Sequence, residues 1–135
     1  LTGGNLSVVT AMIGTPFELR TDGAILFLEE VQEEPFRIDR MLSQLRLAGK
    51  LRGLRGVLLG EFVRCEGLGA NVRPLETIFR EYFGDLGVPV LSGFPAGHVS
   101  DNVTLPIGAR VRLDATAKKL ELLEAPVETE RAEAK

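Results

Sequence analysis

Ala24-Ile25-Leu26-Phe27-Leu28-Glu29-Glu30 runs from unbroken apolarity straight into charge. Five consecutive apolar residues following the turn signal Thr21-Asp22-Gly23 are strand-sized, and their unbroken apolarity is that of a buried strand. Two carboxylates come next, so charge is expected just past the strand's C-terminal end. Further on, Pro35 suits a helix's first turn, Ile38, Met41, Leu42 and Leu45 recur at helical spacing, and Gly49 is placed to cap the helix.

The same alternation continues outward. Val57-Leu58-Leu59-Gly60-Glu61-Phe62 reads as a second strand; Gly67, Gly69 and Asn71 break the pattern before a helix opening at Pro74, with Ile78, Phe79 and Tyr82 as its apolar positions. Val88-Pro89-Val90-Leu91 is a short strand whose proline puts it early in the strand or at a sheet edge. Ala109-Arg110-Val111-Arg112-Leu113 alternates strictly, residues 114–118 turn, and Lys119-Leu120-Glu121-Leu122 returns as a half-exposed hairpin. Towards the N-terminus, Asn5 caps a helix expected through Ile13, ended by Gly14 and Pro16. Strands alternating with helices and ending in a hairpin give an α/β class with a mixed sheet. Residues 1–124 are expected to form one domain, and 125–135 a charged, disordered tail.

At 135 residues the chain can bury a real core. A net charge of -3 with arginines interspersed among carboxylates argues against nucleic acid as a partner. The single cysteine, Cys65, excludes an internal disulfide and a cysteine-rich zinc site, which fits a cytoplasmic setting. No apolar run approaches a membrane span. The first residue is Leu1, which reads as a piece of something longer.

Chemistry centres on the only histidine, His98, in the loop-like stretch Gly97-His98-Val99-Ser100-Asp101-Asn102. Histidine exchanges a proton near neutrality, and loops on a rigid scaffold collect working residues. Glu29 and His98 each fall just past an expected strand, where open α/β sheets place ligand crevices. A carboxylate on one imidazole nitrogen would leave the other free as a base, although an exposed or core-satisfied histidine is the commoner case. Ser7, Ser43, Ser92 and Ser100 include no strand-to-helix nucleophile elbow. Cys65 has one basic neighbour, Arg64, and reads as a bland, partly buried thiol. Glu29, Glu30, Glu33 and Glu34 match no calcium loop and read as a solvated face. Gly3-Gly4-Asn5 reads as a helix cap rather than an anion site. Arg37 and Arg40 could bind a carboxylate bidentately or pair with Glu33, Glu34 or Asp39 on the surface.

Gly3-Gly4-Asn5-Leu6, Ile13-Gly14-Thr15-Pro16, Ile25-Leu26-Phe27-Leu28-Glu29-Glu30, Glu34-Pro35-Phe36-Arg37-Ile38-Asp39-Arg40 and Gly97-His98 through Asn102-Val103-Thr104-Leu105-Pro106-Ile107-Gly108, in this order, resemble the C-terminal domain of the LD-carboxypeptidases, a family of serine peptidases. The resemblance runs from Gly3 to Leu123. It implies a swivelling β/β/α-type domain and a two-domain enzyme with a Ser-Glu-His triad, whose serine sits on an N-terminal domain that this chain lacks. The family's glutamate falls on Glu29, with Glu30 the near alternative, and its histidine on His98. The implied reaction releases D-alanine from murein tetrapeptides during cytoplasmic cell-wall recycling, without cofactor or metal, in an enzyme that associates as a homodimer. The partners implied are the nucleophile domain of the same protein and the murein peptide. Arg37 and Arg40 remain candidate contacts to substrate, carried by no motif. The isolated chain is expected to be inactive.

Two other readings compete. Relatives with the same triad hydrolyse aminoacyl nucleotide antibiotics for self-immunity, but the short connection between Gly60 and Pro74 shows no sign of a large inserted recognition loop. A non-catalytic binding or assembly module would leave Glu29 and His98 merely structural.

Overall fold

The structure, a computed structural model, describes residues 1–67, 72–125 and 127. Four strands, β1 (Thr2–Asn5), β2 (Ile25–Val31), β3 (Gly56–Val63) and β4 (Val90–Leu91), form a sheet in the order β1-β2-β3-β4, every pair parallel. Helices α1 (Leu6–Ala11), α2 (Pro35–Leu47) and α3 (Leu75–Phe83) make the three crossovers. Right-handed crossovers between strands taken in sequence put every helix on one face of a sheet. The packing agrees: Leu6 and Val9 of α1, Ile38, Leu42 and Leu45 of α2, and Ile78 and Phe83 of α3 bury against Leu26, Leu28, Val57 and Leu59.

The alternate residues Ile25, Phe27 and Leu58 point the other way, into a second cluster with Leu91, Ala96 and Leu113. Leu113 belongs to the hairpin β5 (Val111–Asp114) and β6 (Lys119–Leu122), which pairs antiparallel as a sheet of its own. Hairpin, parallel sheet and helices thus make the three layers of a β/β/α domain. The α/β class holds, with the parallel and antiparallel pairings divided between two sheets.

Four boundaries differ from expectation. Thr2-Gly3-Gly4-Asn5 is a strand, although glycines are poor strand formers. Gly3 pairs with Phe27, and a Cβ on Gly3 would lie 1.9 Å from the Phe27 carbonyl oxygen. The close approach requires the glycine. Helix α1 ends at Ala11 rather than Ile13, and Gly14, at φ 80°, takes the chain out of its terminal turn. Strand β2 continues through Glu29 and Glu30 to Val31, so both carboxylates lie inside it. β4 is only two residues, at the sheet's edge, where Pro89 contributes its carbonyl to Val57 N–H at 2.9 Å. The tail expected over 125–135 lies, apart from Ala125 and Val127, outside the described residues, as do Gly69 and Asn71.

Glu30, 3% exposed, staples the first crossover to the sheet. Its carboxylate accepts from Asn5 Nδ2 at 2.7 Å, Ser7 N–H at 2.9 Å, Ser7 Oγ at 2.6 Å and its neighbour Val31 N–H at 2.9 Å. Burial works to raise this carboxyl, but the hydrogen bonds from Ser7, Val31 and Asn5 outweigh it and hold the group below its ordinary value of 4.5. A carboxyl depressed by folding contributes stability that is fully present above its unfolded value and lost as pH falls through the lower folded value. Glu30→Ala is therefore expected to destabilise by about 2–4 kcal/mol at neutral pH, because buried donors lose their acceptor. Glu30→Gln should flatten the loss of stability on acidification below pH 4.5. Urea denaturation across that range checks both.

Candidate active site

The pleat of β2 separates the two carboxylates. Glu30 follows Leu28 towards the helices; Glu29 follows Phe27 towards the hairpin side. Glu29 is 5% exposed, and its Oε2 lies 2.8 Å from Nδ1 of His98, 69 residues away in the chain. It is the one side chain among the described residues hydrogen-bonded to that histidine.

A β-bulge brings them together. Leu28 pairs with Leu59 and Glu30 with Phe62, so Gly60 and Glu61 of β3 both oppose Glu29. The extra residue frees Glu61 N–H to donate to the Ala96 carbonyl at 3.0 Å, while Phe94 N–H donates to Leu59 O at 3.1 Å. Residues 94–96 therefore run beside β3 beyond the end of β4, and the next two, Gly97 and His98, are delivered over Glu29.

Two glycines make room. A Cβ on Gly60 would lie 2.4 Å from the Ala96 carbonyl oxygen and 3.1 Å from Cβ of Glu29. One on Gly97, at φ 124°, would lie 2.8 Å from Glu29 Oε2. Ala96 O is backbone and cannot swing aside as a side chain can. Gly60→Ala is thus expected to push residues 96–98 off the sheet and to lower activity of the full-length protein at least tenfold. Its fold should survive at a cost of about 1–3 kcal/mol, as overpacking commonly does. Kinetics alongside thermal unfolding would check this.

The ring of His98 is half in solvent, with 54% of the side chain exposed. An ionised Glu29 can only accept, so Nδ1 carries the proton in the bond between them and the lone pair of a neutral ring lies on Nε2. Nε2 has no hydrogen-bond partner among the described residues. The pair opens onto a cleft of about 360 Å³ lined also by Gly3, Gly4, Asn102 and Thr104. In chemical terms this is a free imidazole base whose far side is held by a buried carboxylate.

The other candidates lie elsewhere. Arg37 and Arg40 are on α2, and neither lines the cleft. Arg37 pairs with Glu33 at 3.5 Å, and Arg40 lines a groove with Asp39, Ser43 and Tyr82 on the helical layer. The structure does not bring them to His98. Of the four acids expected on a solvated face, Glu29 and Glu30 are buried and Glu33 half-buried, leaving Glu34 exposed. Glu29 and Glu30 meet partners distant in sequence, which is why local reading missed their burial. No group of three metal-capable side chains occurs among the described residues. Cys65 is fully buried and burial pushes its thiol up, the opposite of activation. Asn5 caps α1 by accepting from Val8 N–H at 3.2 Å. No serine hydroxyl among the described residues is hydrogen-bonded to His98. Sequence reasoning overlooked Gly60, Gly97 and Asn102. Gly60 carried a signal, since a lone glycine within a strand marks a bulge or close backbone approach.

Among the described residues no helix is long and apolar enough to cross a membrane. The chain is 43% identical over 128 residues to a probable murein peptide carboxypeptidase of Bacillus subtilis, covering 94% of this chain and 40% of that protein. Its fold matches the crystal structure of a muramoyltetrapeptide carboxypeptidase from Oxalobacter formigenes with a TM-score of 0.79 and 37% identity, over 90% of this chain and 43% of that one. It also matches the microcin self-immunity protein MccF in complex with glutamyl sulfamoyl guanosine, with a TM-score of 0.83 and 27% identity, over 94% and 38% of the two chains. The chain spans about two-fifths of the length of these relatives. The description of the LD-carboxypeptidase C-terminal domain matches residues 1–113, and the chain, with its parallel sheet, outer hairpin and single Glu–His pair, belongs to that family.

Proposed function

We propose that this chain supplies the base-and-orienter half of a serine carboxypeptidase that removes the terminal D-amino acid from murein peptides. The observation that carries the reading is the 2.8 Å bond between buried Glu29 and His98, with Nε2 unpaired among the described residues. In this scheme a nucleophile-bearing domain of the same protein docks its serine against Nε2. His98 takes the hydroxyl proton as the serine oxygen attacks the carbonyl carbon, then gives it to the amine as the C–N bond breaks and D-alanine leaves. Water repeats the sequence on the acyl-enzyme, with His98 again as base. Glu29 holds the ring and stabilises the transient imidazolium. The serine and the oxyanion donors belong to the other domain, so residues 1–135 alone should not turn over. A cytoplasmic setting in the reuse of cell-wall peptides belongs to the same proposal.

The fold resemblance to MccF supports a second substrate class, the aminoacyl nucleotides. The deciding experiment offers the full-length protein a murein tetrapeptide and an aminoacyl sulfamoyl nucleoside in parallel. Release of D-alanine with the nucleoside intact is expected. Cleavage of the nucleoside alone would move the protein to the second class, and inertness towards both would favour a binding module.

A further inference from the structure

We propose that Asn102 is the positioning residue of His98: its side-chain carbonyl clasps the turn that carries the histidine. This rests on the reading of His98 as the base. The turn, residues 97–102, has no helix or strand of its own. Its upstream stem is fixed, because Ala96 O accepts from Glu61 N–H and Gly97 packs against Glu29. Its downstream stem is tied where Val103 N–H donates to Pro95 O at 2.8 Å. Between those stems one bond crosses the turn, Gly97 N–H to Asn102 Oδ1 at 3.1 Å. Glu29 holds the imidazole at a single atom, Nδ1, which leaves the ring free to swing with its own backbone.

The bond across the turn sets that backbone. Asparagine closes local turns by accepting from a nearby backbone N–H. Here the amide bonded is that of the residue immediately before His98. Losing the clasp leaves the fold in place, since Asn102 is exposed and outside both apolar clusters. What is lost is the fraction of time that Nε2 spends aimed at the reacting hydroxyl.

The test uses the full-length protein with D-alanine release and amide hydrogen exchange as separate readouts. N102A is expected to lower kcat about tenfold with KM within twofold, and to speed exchange at the Gly97 amide about tenfold, with thermal stability unchanged. N102D keeps an acceptor in the same place and should restore slow exchange and most of kcat. Unchanged exchange in N102A, a KM effect with kcat intact, or an N102D as impaired as N102A would overturn the proposal. Failure of the underlying reading looks different: His98→Ala would then be as active as wild type. The exchange measurement judges the clasp even if no peptide is cleaved.

Discussion

His98→Ala in the full-length protein is expected to lower kcat/KM for D-alanine release by at least about 10³-fold, on the scale seen when the base of a catalytic triad is removed. The chain contains no second histidine to take over the proton. Loss of the ring also strips Glu29 of the hydrogen bond it makes at 2.8 Å, leaving a buried carboxylate without a partner. That costs about 1–3 kcal/mol of stability, so the variant should unfold somewhat earlier yet remain folded at assay temperature. The two readouts separate cleanly. A stability loss alone scales with the fraction unfolded, whereas loss of the base slows every folded molecule. An alanine variant that keeps a tenth or more of wild-type activity would remove His98 from the chemistry.

Glu29→Gln carries the second large effect. Gly60 and Gly97 leave a space shaped to this side chain, and glutamine fills it with almost the same volume. The charge is what changes. A neutral amide can still accept from Nδ1–H, but it cannot stabilise an imidazolium and can equally present its NH₂ group and favour the wrong tautomer. A fall in kcat of about 10²–10⁴-fold with little change in KM is expected. Glu30→Gln, measured in parallel, should leave kcat near wild type, because that carboxylate faces Asn5 and Ser7 on the helical side. The pair of variants distinguishes two adjacent residues that the sequence left as alternatives.

What was legible in the chain was whatever its local pattern determined. The apolar run of β2, the helical spacing in α2 and α3, and the alternation of the hairpin each announce their element, because burial sorts side chains with the period of the backbone. β1 has no such signal. Two of its four residues are glycines, and Gly3 is there for its close approach to Phe27 rather than for burial. The extent of β2 was equally hidden, since charged residues normally end a buried strand. Here they continue it, because Glu29 and Glu30 find donors 69 and 23 to 25 residues away. No local window contains those partners. Strand ends and the family resemblance both singled out Glu29 and His98, but how they meet depends on a bulge in β3 and on the segment it anchors.

Whether Glu29 acts through His98 is decided by a double-mutant cycle on the full-length protein. The single variants Glu29→Ala and His98→Ala and the double variant would be compared in kcat/KM for D-alanine release. If the two side chains work as a unit, the double variant should be about as slow as His98→Ala alone. Losses that multiply, each residue contributing fully in the absence of the other, would mean that Glu29 does not act through His98.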